Sequence, residues 1–463
     1  MSGAGRDRRK ADWLDVAEAL TRVLDAVAPL PAEDAPLAEA AGRVLAADVA
    51  APFDLPGFDN SAMDGFAARA EDVRGATRDA PVSLSVVADV PAGSVAPEPL
   101  GAGQAAKVMT GAPVPPGADT VVRVEQTDAW RGDGWGRAAG DRVAVLSDRD
   151  AGRNIRFRGE DLRAGDVALA TGAHVDPAAV AVLAALGVES VSVHRRPRVA
   201  ILSTGDEVVP ARRAAEAAAG RAVVDANGPA LAAAVAAAGG EPLALGIARD
   251  DAADIRARVR RGLDADALIT TAGASVGEHD VARSALAELG LRTDFWRVRI
   301  RPGSPFSLGL IARPDAPDLP VFGLAGNPVS ALLTFLILVR PALLRLAGQA
   351  ALLAPVIDVR AAERLGSRPG LVHLLRVRLE PDGAGGWLAR GAGAQGSGVL
   401  STLAAADALV VVPLDSDGVE EGESARAIPL RPPEAWSPPL AGDVLRPGVA
   451  GASGPVADER PEP

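Results

Sequence analysis

The chain contains 463 residues, with a formal net charge of −12, 48% hydrophobic residues and neither cysteine nor tyrosine. This composition is typical of a folded globular protein, and at about 150 residues per domain the length suggests about three domains. The lack of cysteine excludes disulfides, thiolate nucleophiles and cysteine-ligated metal clusters. The acidic balance argues against a general nucleic-acid binder. All but two of the 48 basic residues are arginine, so Lys10 and Lys107 are the only candidates for a catalytic lysine.

The N-terminal part predicts one amphipathic helix. Apolar residues recur at helical spacing over residues 12–27, with Asp12 as the expected N-cap. Residues 1–10 lack the apolar segment of a signal peptide. The longest strongly apolar run, 329–339, ends at Arg340 and is shorter than the roughly 20 residues of a membrane span. We therefore expect a cytoplasmic protein that does not bind a membrane.

Three regions of different character follow along the chain. From residue 51 to 149, short valine-rich runs alternate with proline and glycine, which predicts a β-rich module. After Asp176, short apolar runs alternate with alanine-rich helices, which predicts a parallel sheet covered by helices on both faces. Residues 352–430 return to short strands and predict a small all-β module. The segment 432–463 is crowded with proline and glycine and is predicted to be a disordered tail.

Residues 273–277 read Gly-Ala-Ser-Val-Gly and match the nucleophile elbow of serine hydrolases, after a predicted strand and before a predicted helix. A hydrolase would also need a histidine downstream of Ser275. His279 is only four residues away, and His373 belongs to the predicted C-terminal β module. A loop whose backbone N–H groups hold an anion is the alternative interpretation. A second glycine-rich stretch, 391–396, is not followed by a helix pattern and is interpreted as a turn.

Acidic residues follow three predicted strands in succession. They are Asp206 and Glu207, Asp250 and Asp251, and Glu278 and Asp280. Ligands of open α/β sheets bind outside the carboxyl ends of the strands, and Mg²⁺ prefers carboxylate oxygens there. The alternative for each residue is an N-cap of the following helix.

Three arginines alternate along residues 297–301. Alternation predicts that Arg297, Arg299 and Arg301 lie on one face of a strand. That face is either an anion clamp, for which the guanidinium fork is suited, or a solvated edge.

Taken together, these segments resemble the molybdopterin molybdenumtransferase family, which includes the E domain of gephyrin. The resemblance runs in order from about residue 12 to 430. The segments that carry it are PGFDNSAMDGFA (56–67), KVMTGAPVPPGADTVVRVEQ (107–126), GRNIRFRGEDLRAGD (152–166), STGDEV (203–208), TTAGASVGEHD (270–280), RIRPGSP (299–305) and LAGNPVSA (324–331).

The resemblance implies a homodimer whose fold combines multidomain α/β with β structure. A molybdopterin-binding-like α/β unit with a parallel-type sheet lies at 181–347, a β-rich insertion at 51–149, and a small C-terminal β barrel at 352–431. The remaining subdomain is discontinuous, formed by 11–50 and 150–180. The implied reaction inserts molybdate into adenylylated molybdopterin and releases AMP, with Mg²⁺ as the metal. The expected protein partners are the molybdopterin adenylyltransferase and acceptor molybdoenzymes.

Site residues are carried over only where the sequence matches. The implied catalytic set is Asp59, Thr110, Asp161, Glu207, Asp250, Asp280, Arg297 and Arg301, with Glu207 and Asp280 as the implied metal ligands. The implied pterin-binding and anion-binding set is Gly273, Ser275, Gly277, Ser330, Arg376 and Ser397, of which Arg376 and Ser397 rest on a weaker match.

Several positions depart from the family pattern. Arg297 and Arg301 stand where the family usually has lysine, and Ser304 replaces a further lysine. Ala272-Gly273 replaces a glycine pair, and Ala325 replaces a proline. These departures keep two alternatives open, namely a catalytically diverged pterin-binding or scaffold paralogue and a serine hydrolase that uses Ser275.

Overall fold

The computed structural model describes residues 13–94, 98–130, 132, 141–271, 281–432 and 436. The chain divides into two compact units. The larger unit comprises Met1–Glu33, Gly42–Val44 and His194–Pro463, and the smaller unit comprises Asp34–Ala41 and Leu45–Val193. The predictions for Lys10, Asp12, the 273–280 segment and the tail 432–463, apart from residues 432 and 436, lie outside the described residues. The proposed four-subdomain boundaries stay a prediction.

In the described residues up to His194 there are four α-helices, eleven strands and a short 3-10 helix at Val124–Gln126. The helices are α1 (Val16–Asp25), α2 (Leu37–Ala40), α3 (Ala70–Val73) and α4 (Pro177–Ala185). The strands are β1 (Ala32–Pro36), β2 (Val49–Ala50), β3 (Asn60–Ser61), β4 (Gly65–Ala68), β5 (Val82–Val90), β6 (Gln104–Val108), β7 (Thr120–Arg123), β8 (Arg142–Val145), β9 (Ile155–Arg156), β10 (Val167–Leu169) and β11 (Ser190–His194).

The N-terminal helix is shorter than predicted. It begins at Val16, and the residue at its N-cap position is Asp15, whose side chain makes no capping hydrogen bond. Val23, an apolar position of the predicted stripe, is fully buried in the core of the larger unit, and so is Ala19.

The smaller unit contains a five-stranded sheet in the order β7-β4-β6-β5-β8. Of its neighbouring strands only β5 and β6 run parallel. A β-carbon at Gly65 would collide with the Val122 carbonyl, so the pairing of β4 with β7 requires glycine there. Phe66, Leu84 and Val143 are among the side chains that fill one core of this unit. The β-rich module predicted for residues 51–149 is therefore confirmed as β-structure.

The central part of the larger unit alternates strands and helices. The strands are β12 (Arg198–Thr204), β13 (Val208–Val209), β14 (Val223–Val224), β15 (Glu241–Ala248), β16 (Ala267–Thr271), β17 (Leu291–Trp296), β18 (Ile300–Arg301), β19 (Ser307–Ile311) and β20 (Leu319–Leu324). The helices are α5 (Ala214–Ala218), α6 (Asn227–Ala237), α7 (Ala252–Arg260), α8 (Val281–Glu288), α9 (Pro328–Thr334) and α10 (Arg340–Leu346), with a π-helical segment at Phe335–Val339 between the last two.

Six of these strands form one sheet in the order β15-β12-β16-β20-β19-β17. The first four are parallel, as predicted, whereas β19 and β17 are antiparallel. The inner parallel strands β12, β16 and β20 are apolar and almost fully buried, whereas the edge strand β15 is partly exposed. Helices α6, α9 and α10 contribute to a core on one side of the sheet, and α7 and α8 contribute to a second core. The carboxyl ends of the four parallel strands therefore meet at one edge of the sheet.

The helical run Pro328–Leu346 is long and apolar enough to cross a membrane, but 72% of its most apolar 18-residue stretch is buried inside the protein. The apolar run predicted to end at Arg340 is part of a longer helix, which continues through that residue to Leu346. Its burial identifies it as a core helix of the larger unit.

The C-terminal part forms a small barrel. Its elements are β21 (Ile357–Ala361), β22 (Leu365–Gly366), β23 (Val372–Pro381), β24 (Trp387–Gly391), α11 (Leu400–Ala405), β25 (Ala408–Val412), β26 (Gly418–Val419) and β27 (Ser424–Pro429). The strand order is β23-β24-β21-β27-β25, and pairing of β25 with β23 closes the barrel. Trp436 packs edge-on against Trp387, with 4.8 Å between ring centroids, and belongs to the barrel core.

Candidate active site

A cleft of about 400 Å³ lies at the carboxyl ends of the parallel strands. Ser203 and Thr204 end β12, and Thr271 ends β16. The turn that follows β20 contributes Gly326 and Asn327. The short pair β13–β14 forms a further wall through Val208, Val223 and Val224. The cleft is thus where the topology of an open α/β sheet predicts a ligand.

Three buried polar atoms at this cleft have no hydrogen-bond partner among the described residues. They are Ser203 Oγ, Thr204 Oγ1 and Asn227 Oδ1. The three residues are only 3%, 4% and 8% exposed. The Asn227 amide is oriented by its own donation to the Gly326 carbonyl at 2.7 Å. Because nearly all buried polar groups in proteins are paired, this group of atoms is best explained by a polar ligand.

Two helices begin at the cleft. Helix α6 starts at Asn227, and α9 starts after Asn327, which occupies its N-cap position without a side-chain capping bond. The free N–H groups and the dipole of a helix N-terminus favour negative charge. The cleft is therefore suited to an anionic ligand.

Two carboxylates also line the cleft, on Glu207 and Asp225. Gly205, which precedes Glu207 by two residues, has φ +138°, a backbone conformation that strongly favours glycine. Asp225 Oδ1 accepts a hydrogen bond from Gly228 N at 3.0 Å. Among the described residues there is no cluster of three or more metal-binding side chains.

The remaining predicted strand-end acids that the structure describes do not line the cleft. Asp251 Oδ1 accepts from Asp254 N at 2.8 Å and caps α7, which is the simple N-cap alternative. The backbone N–H of the exposed Asp250 donates to Asp206 Oδ1 at 3.1 Å. Asp280 lies outside the described residues. Among the described residues, Glu207 is thus the only one of the predicted strand-end acids that lines the cleft.

The prediction that Arg297, Arg299 and Arg301 share one strand face is wrong. Strand β17 ends at Trp296 and β18 begins at Ile300, and Arg297 has φ +83° between them. Such a backbone conformation breaks the alternation of side chains.

The arginine side chains have separate environments. The guanidinium of Arg297 lies 4.9 Å from the ring of Trp13 and 4.4 Å from that of Trp296. Cation–π contacts of this kind hold a guanidinium in place. Arg299 pairs with Asp15 at 3.3 Å, whereas Arg301 is exposed.

Arg376 is fully buried, which corrects its interpretation as a direct anion contact. Its guanidinium donates to Gln395 Oε1 and to the carbonyls of Ala394 and Gly396 at 3.1–3.2 Å. Burial lowers the pKa of this guanidinium. The donors are used within the protein, so a ligand is not required to satisfy them.

The other two predicted anion contacts lie near the cleft. Ser397 Oγ accepts a hydrogen bond from Asn327 Nδ2 at 3.1 Å. Ser330 is buried in the first turn of α9. Gly273, Ser275 and Gly277 lie outside the described residues.

Asp59, Thr110 and Asp161 belong to the smaller unit, on three loops joined by backbone hydrogen bonds. Asp59 Oδ1 accepts from Arg158 N at 2.7 Å. Thr110 N and Oγ1 both donate to Asp64 Oδ1, at 2.7 and 2.8 Å. Asp161 is exposed. The structure thus brings these three residues into one loop cluster.

Comparison with known proteins gives three family-model matches. They are the MoeA N-terminal region (domain I and II) over residues 14–187, the "Probable molybdopterin binding domain" over 200–345, and the MoeA C-terminal region (domain IV) over 358–430. A molybdopterin molybdenumtransferase of Nostoc sp. is 37% identical over 398 residues, which are 84% of this chain and 86% of that protein. The chain belongs to the molybdopterin molybdenumtransferase family.

Other family members agree with this assignment. Molybdopterin molybdenumtransferase 2 of Mycobacterium tuberculosis is 40% identical over 314 residues, 66% of this chain and 73% of that protein. The crystal structure of the molybdopterin biosynthesis MoeA protein of Pyrococcus horikoshii OT3 covers 90% of this chain and all of its own, with 31% identity and a TM-score of 0.74. The predicted family and fold class are confirmed, and no comparison supports the hydrolase or scaffold alternative.

In this member of the molybdopterin molybdenumtransferase family, sequence reasoning missed part of the cleft wall. Asp225 and Asn227 were not identified as site residues, although Asp-Ala-Asn-Gly before an alanine-rich helix is a recognisable helix-start signal. Ser203 and Asn327 lie in segments that resemble the family, but only the structure shows that their side chains face the same cleft.

Proposed function

We propose that the chain inserts molybdate into adenylylated molybdopterin and releases AMP. The observation that carries this proposal is a cleft at the strand ends of the domain that matches a molybdopterin-binding family. In its wall the buried atoms Ser203 Oγ, Thr204 Oγ1 and Asn227 Oδ1 have no hydrogen-bond partner in the described part of the chain. The curated relatives named molybdopterin molybdenumtransferase match over most of the chain.

The chemistry of the substrates fits the cleft. Adenylylated molybdopterin is a polyanion and molybdate is a dianion, so their approach requires positive potential. The N-termini of α6 and α9 supply such potential, and the unpartnered hydroxyl and amide groups can bind phosphate or pterin polar atoms. Cleavage of the phosphoric anhydride is then mainly positioning and charge stabilisation.

We assign Mg²⁺ to the Glu207 side of the cleft. Mg²⁺ sites in phosphoryl chemistry use one or two protein carboxylates together with substrate phosphates, and Glu207 with Asp225 provides that donor set. Asp280 is the proposed second ligand from the family resemblance. When bound, the ion would neutralise phosphate charge.

The remaining site assignments are proposals from the family resemblance. Asp59, Thr110, Asp161 and Asp250 would orient substrate groups, and Arg297 and Arg301 would bind anions. Ser330 and Ser397 would contact the substrate, and the segment 273–277 would hold the pterin phosphate. We also propose that the protein is a cytoplasmic homodimer that receives its substrate from a molybdopterin adenylyltransferase and delivers product to molybdoenzymes.

The direct test supplies purified protein with adenylylated molybdopterin, molybdate and Mg²⁺ and measures AMP by chromatography. AMP release that depends on molybdate is the expected result, with a reaction lacking molybdate as control. Tight binding of the adenylylated pterin without AMP release would instead identify a non-catalytic pterin-binding protein. Labelling of Ser275 by a fluorophosphonate would support a hydrolase.

A further inference from the structure

A second cavity, of about 390 Å³, lies in the larger unit, and none of the described residues lines both this cavity and the strand-end cleft. Its walls come from the end of α6, from α9 with the π-helical segment that follows it, and from α11. Of the twelve described residues that line it, ten are alanine, leucine or phenylalanine, and the other two are Arg340 and Arg431. Small-molecule sites in proteins are mostly apolar and have volumes of about 300 to 1,000 Å³, so the cavity has the size and lining of such a site.

One helical run brings an arginine to this apolar wall. Residues four apart lie on the same face of a helix, and Leu332, Leu336 and Arg340 follow one another at that spacing and line the cavity. The π-helical segment Phe335–Val339 contains Leu336 and ends directly before Arg340. π-Helical turns are rare and are found frequently at functional sites. Arg340 is thus the polar end of an apolar stripe that faces the cavity.

The guanidinium of Arg340 is not neutralised by the residues around it. Its Nη1 is buried and has no hydrogen-bond partner in the described part of the chain. Burial lowers the pKa of this guanidinium. None of the described residues that line the cavity is acidic. A charge removed from water without a partner is unfavourable in free energy, and a bound anion would offset that cost.

The second arginine of the cavity has a different environment. Arg431 Nη2 donates to the carbonyl of Ala404, so this guanidinium already has a partner within the protein. The buried donor that lacks a partner is therefore on Arg340 alone among the described lining residues. One guanidinium can balance one carboxylate, whereas a dianion would bring a second charge into an apolar cavity. The polar part of a matching ligand is thus a single monoanionic group.

We propose that this cavity binds a small molecule that has one carboxylate and an otherwise apolar body, such as an aliphatic carboxylic acid. The carboxylate pairs with Arg340, and the hydrocarbon packs against the leucines of α9 and the π-helical segment. A peptide is a poorer match, because the backbone N–H groups inside the helical walls already bond to carbonyls of the same helix. The site is separate from the cleft, so this inference goes beyond the proposed function and does not depend on AMP release.

Calorimetric titration of the full chain with sodium octanoate tests the site directly. Octanoate should bind at least about ten-fold more tightly than octan-1-ol, which has the chain without the charge, and than acetate, which has the charge without the chain. Octyl phosphate, which can carry a second charge, should bind less tightly than octanoate. Absence of octanoate binding to the wild type, or an equal affinity for octan-1-ol, would overturn the proposal.

Two variants with matched controls locate the bound octanoate. Arg340→Met removes the charge and should weaken octanoate binding at least about ten-fold, whereas Arg345→Met, on the same helix but not lining the cavity, should bind like the wild type. Ala237→Phe fills the cavity and should abolish binding, whereas Ala236→Phe, the neighbouring position of α6 that does not line the cavity, should not. Melting curves check that each variant is folded. Wild-type affinity in Arg340→Met or in Ala237→Phe would contradict this site.

A second copy of the chain is the other occupant that these experiments distinguish. If another protomer covered the apolar wall, octanoate would not bind to the wild type. Ala237→Phe, but not Ala236→Phe, would then lower the molecular mass measured by light scattering. That pair of results would assign the wall to self-association and would overturn the ligand proposal.

Discussion

Arg376 and the cleft wall formed by Ser203, Thr204 and Asn227 are buried to a similar degree, but their polar atoms have opposite environments. Every hydrogen bond described for Arg376 ends on a protein atom, and its neighbours are carbonyl and amide groups. The three cleft residues each carry an atom with no partner among the described residues. Burial of a polar side chain therefore does not by itself indicate a binding site. The cleft residues differ from Arg376 because each has a buried atom that no described residue satisfies, at the carboxyl ends of the parallel strands.

The largest effect on stability is expected at Arg376. Arg376→Leu would remove the guanidinium donors to Gln395 Oε1 and to the carbonyls of Ala394 and Gly396. We expect a loss of about 3 kcal/mol in the free energy of unfolding, measured by urea denaturation. Arg378→Leu, on the exposed part of the same strand, should change it by less than about 0.5 kcal/mol. If Arg376→Leu were as stable as the wild type, Arg376 would not have the structural role that separates it from the cleft residues.

The next effect concerns His373, which is 6% exposed and lies in the strand that carries Arg376. Burial, together with the positive charges of Arg301 and Arg376, lowers the pKa of His373 to about 4, from 6.5. The unfolded chain therefore binds a proton at His373 more readily than the folded chain does. The contribution of the neutral imidazole to the free energy of unfolding is complete above pH 6.5 and is lost as the pH falls towards 4. It amounts to at most about 3 kcal/mol.

His373→Gln provides the measurement for this pH effect. The difference in unfolding free energy between wild type and variant should change across pH 6.5 to 4 and stay constant above pH 7. A constant difference over the whole range would show that the imidazole does not stay neutral, and the Arg376 region would then tolerate added charge.

Two threonines allow a direct comparison between a hydroxyl group that is hydrogen-bonded within the protein and one that faces the cleft. Thr127 Oγ1 donates to the Val124 carbonyl at 2.8 Å, whereas Thr204 Oγ1 has no partner among the described residues. Thr127→Val should cost about 1 kcal/mol and leave KM unchanged. Thr204→Val should leave stability within about 0.5 kcal/mol and raise KM for adenylylated molybdopterin about ten-fold. The reverse pattern, seen in denaturation and AMP-release assays, would contradict a ligand-facing role for Thr204.

The smallest effect on stability is expected at Arg301, which is exposed on β18. Arg301→Ala should change the unfolding free energy by less than about 0.5 kcal/mol, because surface charges contribute little. Binding of molybdate or of the adenylylated pterin, measured by calorimetry, should weaken about ten-fold. A large drop in melting temperature with unchanged binding would assign Arg301 to the structure instead.

The sequence was sufficient for the family, the parallel strands and the C-terminal barrel, because these depend on local periodicity and on long motifs. It did not predict the features that depend on tertiary contacts. The positive φ of Arg297 interrupts an alternating pattern that looked like one strand, and the burial of Arg376 depends on a loop about 20 residues away. Likewise Ser203, Asn227 and Asn327 are dispersed along more than 120 residues, and no local pattern indicates that they share one cleft.

The cleft is lined by residues from 203–208, 223–227, 271 and 326–328. It therefore forms only when these four segments of the larger unit have all reached their final positions. Parallel strands can pair only after their crossover connections have closed, and such non-local pairing is slow. A refolding molecule should therefore acquire helical content and a compact shape well before it can hold substrate. Recovery of catalytic turnover would then follow the slowest tertiary phase of refolding, so that enzyme activity reports complete assembly of the sheet.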